Sequence, residues 1–200
     1  MVEALVATVL AMIVVMVGYQ FLEYNYRTYL MQMDTAAVHS TGRAIVELLG
    51  TDVEAAGYSP QGITFDPIPS GGDTDIRMLA DLDGDGEVGT TADELDENIS
   101  YIFEESAEAG VWTLQRGIDL NGDGDFDDDD EQIYDLAGNV VAIDYDGDGT
   151  DEDFLAYDEP PPDSRRVTLT FGLRQPRRMM FREQRPVAFQ ADFRLRNVLD

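Results

Sequence analysis

From Ala4 to Tyr19 the chain carries no charge, and Thr8 is the only mildly polar residue in that run. Glu3 stands at its head. A carboxylate held deep in a bilayer costs roughly 3 kcal/mol, so a chain that places one there needs a partner for it. No lysine or arginine precedes Arg27, which leaves a positive group on another subunit as the candidate. This pattern predicts an assembly element rather than a plain anchor.

The segment after the run keeps helical character. Tyr19, Tyr24, Tyr26 and Tyr29, with Phe21 and Arg27 among them, suit a membrane–water belt. A cleavable signal peptide fits poorly, because there is no basic leading region and no small-residue cleavage site; the segment is expected to belong to the working protein. No proline occurs before Pro60. Val38, Thr41, Ile45, Leu48, Leu49, Val53 and Ala56 recur at helical spacing and predict one buried stripe. Gly57 is the expected stop. The chain therefore divides into a helix over 1–57, with an apolar half (1–22) and an amphipathic half (23–57), and a β-rich head over 58–200. Such a helix would be roughly 85 Å long, too long for a head of this size to cover. Gly18 is the expected soft point within it.

The segment Met1-Val-Glu3-Ala-Leu-Val-Ala-Thr-Val-Leu-Ala-Met12 resembles the prepilin amino-terminal motif of type IV pilins and type II secretion pseudopilins. That family places its glutamate fifth in the mature chain. Here it is third, so two residues and a leader are expected to precede this numbering. Gly42-Arg43-Ala44-Ile45 through Leu48, then Asp52 to Pro60, and the closing Arg194-Leu195-Arg196-Asn197, are similar to the PilW-like subgroup. The resemblance implies an α+β type IV pilin fold, a long helix packed on an antiparallel sheet. It also implies that Glu3 neutralises the terminal amine of a neighbouring copy at Met1.

Net charge is −28, with 41 acidic residues against 13 arginines and no lysine. That balance excludes a general nucleic-acid binder, since polyphosphate would be repelled. It fits a solvated surface, cation binding or a salty environment. Charge is also segregated. Between Asp73 and Asp163 only Arg77 and Arg116 oppose the acids, whereas nine arginines fall between Arg165 and Arg196. Internal neutralisation and a head-to-tail contact between copies both fit. Cysteine is absent, which removes disulfides and thiolate metal sites.

Three acidic segments share one spacing: Asp81-Leu-Asp83-Gly-Asp85-Gly, Asp119-Leu-Asn121-Gly-Asp123-Gly and Asp144-Tyr-Asp146-Gly-Asp148-Gly. Oxygen ligands at positions 1, 3 and 5 with glycine at 6 can wrap calcium, which takes six to eight oxygens. In the second, the Asp125 carbonyl, Asp127 and Asp130 occupy positions 7, 9 and 12. In the first, Asp93 or Asp96 is expected to close the ring. In the third, Glu152 stands at position 9 and Asp153 substitutes for Leu155 at 12. The first two read as copies, because Asp96-Glu97-Asn98-Ile99 parallels Asp130-Glu131-Gln132-Ile133. Short strands are expected at Asn98–Glu104, Val111–Arg116 and Val140–Tyr145, so the loops are not helix–loop–helix units. Asp-Gly clusters also make ordinary turns; three in matching phase point to one to three structural calcium sites.

Alternation over Val167–Leu173 and Val187–Leu195 predicts two half-buried strands packed on the helix stripe. His39 is the single histidine and has no nucleophile motif nearby, so no catalytic constellation is expected. The expected function is a structural subunit of a type IV pilus-like extracellular filament. Its partners would be copies of itself or related pilins, with the inner membrane holding it before assembly. A minor or tip pilin, a type II secretion pseudopilin, and a non-polymerising membrane-anchored calcium-binding surface protein are the alternatives.

Overall fold

The computed structural model describes residues 1–88, 97–119, 132–175 and 185–197. Among these described residues, one α-helix, α1 (Val2–Ala55), precedes eight strands. These are β1 (Ser70–Gly71), β2 (Asp75–Leu79), β3 (Asn98–Glu105), β4 (Trp112–Ile118), β5 (Gln132–Val141), β6 (Leu155–Tyr157), β7 (Arg166–Leu173) and β8 (Val187–Arg194). The architecture is α+β, and every strand pair is antiparallel. The order along the sheet is β1-β2-β3-β4-β5-β7-β6, with β8 paired along β7. One edge of β7 belongs to β8. The other is shared, with β5 at Leu173 and β6 at Val167–Leu169.

The helix splits by burial as its sequence predicts. Its first buried residue is Val38, followed by Gly42, Ile45, Leu49, Gly50 and Val53. Thr41, expected in the stripe, is exposed. Gly42 takes its place on the buried face because β8 brings aromatic rings there. A Cβ built on Gly42 would stand 2.1 Å from Phe189 Cζ, and one on Gly50 would stand 2.7 Å from Phe193 Cε1. The missing side chains let α1 lie close against the sheet. Phe189 is stacked on Phe171 at 5.2 Å and meets the edge of His39 at 6.1 Å, so its ring has little room to retreat. Gly42→Ala gains about 1 kcal/mol of helix propensity and loses about 1–3 kcal/mol to overpacking. The expected result is net destabilisation in urea unfolding of the full chain in detergent. The same change at Gly18, where nothing lies within 4 Å, should be neutral or stabilising.

Gly18 lies inside a continuous helix, so the expected soft point is not a break. The stop falls where Gly57 was expected to set it: Gly57 has φ +76°, and its N–H donates to Leu79 O at 2.8 Å. The orphan carbonyls of the last turn are satisfied from the far end of the chain. Asn197 Nδ2 donates to Glu54 O, Ala55 O and Ala56 O at 3.0, 3.5 and 3.4 Å.

A second tie lies inside the head. Asp52 Oδ2 accepts from the Tyr101 hydroxyl at 2.6 Å and from Arg116 Nε at 3.1 Å. It joins the last helical turn to β3 and β4. The core behind it includes Leu49, Val53, Ile76, Tyr101, Leu114, Val140, Leu169 and Phe171.

The strands at Asn98 and Val111 fall within two residues of expectation. Of the strand expected at Val140–Tyr145 only Val140 and Val141 are strand: they end β5, which begins at Gln132, and residues 142–145 belong to the loop that follows. Gly138 and Asn139 lie inside β5, beside register shifts opposite Trp112, Leu114 and Gln115, with Asn139 at φ +59°; a bulge of this kind inserts residues without ending the strand.

Candidate metal centres

The first acidic loop leaves β2 and returns to β3. Gly84 and Gly86 hold φ values of +79° and +93°, conformations that cost other residues more. Each aspartate then accepts from the loop's own backbone. Asp81 Oδ1 accepts from Gly84 N at 2.8 Å, Asp83 Oδ1 from Asp85 N at 2.8 Å, and Asp85 Oδ1 from Glu87 N at 2.7 Å. Glu97, immediately before β3, reaches back across the loop. Its Oε1 accepts from Leu82 N at 2.6 Å and Asp83 N at 3.0 Å.

The third loop, between β5 and β6, repeats this pattern. Gly147 and Gly149 have φ +84° and +94°. Asp144 Oδ1 accepts from Gly147 N at 2.6 Å, Asp146 Oδ1 from Asp148 N at 3.0 Å, and Asp148 Oδ1 from Thr150 N at 2.8 Å. Glu152 takes the role of Glu97, accepting from Tyr145 N at 2.5 Å and Asp146 N at 3.0 Å. In both loops, then, a glutamate binds the amides at positions 2 and 3 while the aspartates at 1, 3 and 5 bind those at 4, 5 and 7.

Two groups of three carboxylates result: Asp81, Asp83 and Glu97, and Asp144, Asp146 and Glu152. In each, one oxygen from every residue lies within 4.8 Å of the others, and either group could hold a metal ion. Asp85 and Asp148 sit in the loops but outside these groups. The pair differs in burial. Asp81 is 0% exposed and Glu97 1%, whereas Asp144 and Asp146 are exposed and Glu152 is half-buried.

Among the described residues, Glu97 is the acid that meets Asp81 and Asp83; the expected Asp93 and Asp96 lie outside the described residues. Sequence reading passed Glu97 over, although the parallel between residues 96–99 and 130–133 had placed it in view. Glu152 stands where its spacing put it, and Asp153 is not among the grouped residues. Within the second segment only Asp119 is described. It is buried, and its Oδ2 accepts from Arg77 Nη2 at 3.0 Å and Asn98 Nδ2 at 2.8 Å. Asn121, Asp123, Asp125, Asp127 and Asp130 lie outside the described residues. Among the described residues, the first and third loops share one hydrogen-bond pattern.

At the opposite end, Met1 and Glu3 are exposed on the free part of α1. By length and composition this helix can cross a membrane: its apolar window has mean hydropathy 2.3 and no burial inside the protein. The class so defined is an α+β protein with one long apolar helix, capable of serving as a membrane anchor or signal sequence, and acidic loops fit for a metal. No family model, curated protein or solved structure matches the chain.

Proposed function

We propose that the chain is a structural subunit of a type IV pilin-like filament, and that calcium fills its acidic loops. The observation that carries this reading is the division of α1. Among the described residues, the first hydrogen bond from α1 to the head is at Thr35, whose Oγ1 accepts from Gln175 Nε2 at 3.0 Å. The stretch before it is roughly 50 Å long, with Leu5, Val9, Met12, Val15, Tyr19 and Leu22 all exposed. No monomer leaves so much apolar surface in water. A bilayer would cover it before assembly, and the helices of neighbouring copies would cover it afterwards.

The charge pattern supports polymerisation over simple anchoring, because among the described residues no ion pair includes Glu3 and no lysine or arginine precedes Arg27 in sequence. Calcium suits the loops because all their ligands are oxygens and the carboxylates are pre-bent by backbone amides. Affinity is expected in the weak range of extracellular modules, on the order of 10⁻⁴–10⁻³ M.

Cryo-electron microscopy of sheared surface material, with the chain identified by mass spectrometry, tests the reading. Filaments whose every subunit fits this chain are expected, with ion density in the loops. Chain found only as membrane-embedded monomer would overturn it in favour of a non-polymerising anchored surface protein.

A further inference from the structure

We propose that a calcium-class ion held by Asp81, Asp83 and Glu97 fastens the end of α1 to the sheet, with Glu97 as the ligand that closes the site. This rests on the reading that calcium fills the acidic loops, and it assigns the first loop a role the third lacks.

The independent sign of a ligand is Glu97 Oε2. Among the described residues it is the one buried side-chain oxygen or nitrogen with no hydrogen-bond partner. Its sister oxygen is already committed to two backbone amides. A buried carboxylate oxygen left bare costs free energy unless it is paired or coordinates a metal. None of the described ion pairs includes Asp81, Asp83 or Glu97, so the local cluster of negative charge is uncompensated. Two oxygens on opposite sides of one calcium ion, each at about 2.4 Å, stand about 4.8 Å apart. The three carboxylates fall within that span.

The site is also wired to the helix. Asp81 N donates to Tyr58 O at 2.8 Å, and Ser59 Oγ donates to Asp81 Oδ2 at 2.9 Å. Gln61 Nε2 donates to Gly84 O. On the other side, Ala80 N donates to Glu97 O at 2.9 Å, and Glu97 leads directly into β3. An ion here would draw together the residues after α1, the end of β2 and the start of β3. The third loop provides the contrast. Both oxygens of Glu152 already accept backbone amides, and no described hydrogen bond joins that loop to α1.

The test uses the full chain in detergent micelles, stripped with chelator and returned to calcium or, as a control, magnesium. Amide hydrogen exchange is read by mass spectrometry. At calcium near ten times the dissociation constant, linkage predicts about tenfold slower exchange in residues 80–87 and in the helix end around 49–63. Glu97→Gln should lose both responses while residues 143–153 still respond. Ser59→Ala should keep the response at 80–87 and lose it at the helix end; it carries the test should Glu97→Gln fail to fold. Protection confined to 143–153 in the native chain, or a Glu97→Gln variant that behaves like it, overturns the proposal. No calcium response in either loop overturns the calcium reading as well, so the two failures are distinguishable.

Discussion

Asp52→Ala is expected to destabilise the head by about 3–5 kcal/mol, the range for removing one partner of a buried ion pair. Asp52 and Arg116 are nearly enclosed, with side chains 12% and 13% exposed, and Tyr101 is wholly buried. Removing the carboxylate takes away the acceptor that the Tyr101 hydroxyl and the Arg116 Nε share, and water cannot readily replace it in so enclosed a place. Urea unfolding of the full chain in detergent, followed by Trp112 fluorescence, reads the loss. Glu54→Ala is the contrast: its pair with Arg196 is 46% and 69% exposed, and such pairs are worth 1 kcal/mol or less, roughly. Equal losses in the two variants would sink the account of Asp52 as the internal tie.

The same network sets an alkaline limit. Burial first, then the charge of Asp52 and its hydrogen bond, push the Tyr101 hydroxyl well above its ordinary range. Burial and the nearby Asp75 and Asp73 do the same to Tyr157. A group whose folded pKa is raised contributes stability that is complete below its unfolded value, near 10 for tyrosine. That contribution fades as pH rises toward the folded value, because the unfolded chain releases its proton first. Head stability should therefore be flat from these groups up to about pH 10 and fall above it. In Asp52→Ala the Tyr101 share of that fall should be smaller, since two of its three upward causes are gone.

The helix was legible because its signals are local. Absence of proline, a 3.6-residue repeat and a glycine stop need no knowledge of the rest of the chain, and Val38, Ile45, Leu49 and Val53 are buried as their spacing requires. Gly42 and Gly50 could not be read this way. Their role depends on Phe189 and Phe193, which reach them only through the pairing of β8 with β7. The start of β5 was hidden for a related reason: the strand was expected from Val140, and the register shifts that let it run from Gln132 exist only in the pairing with β4.

The metal loops show the same boundary between local and distant information. Asp at positions 1, 3 and 5 with glycine at 6 specifies a bend and a set of amide contacts, and both described loops adopt it. The closing acid is set by where the chain re-enters the sheet. In the third loop it returns at once, and Glu152 was found by counting. In the first, position 12 is Ala92, and among the described residues the acid that meets Asp81 and Asp83 is Glu97, the last before β3; Asp93 and Asp96 lie outside the described residues. Glu97 reaches Asp81 through the pairing of β2 with β3, which loop spacing does not show.

Glu3→Arg is expected to abolish filaments while leaving the head intact. Arg27, the nearest basic side chain in sequence, lies 24 residues along α1, roughly 36 Å away, and is itself paired with Glu23 one turn back. Among the described residues no ion pair includes Glu3, and the proposed filament supplies its counter-charge from a neighbouring copy. In a bundle of apolar helices an unpaired carboxylate costs about 3 kcal/mol, and a pair across subunits would relieve it only when the helices are staggered correctly. Arginine reverses the charge, so the same stagger places like charges together. Glu3→Gln removes the attraction without repulsion and should reduce filament yield less severely. Sheared surface fractions, weighed against membrane-held chain, measure both. The thermal midpoint of the head in detergent should not move, because Glu3 lies far from Thr35, where among the described residues α1 first hydrogen-bonds to the head. Undiminished filaments from Glu3→Arg would show that register comes from the heads alone, and the basic stretch 165–196 facing the acidic loops of the next copy would become the interface to map.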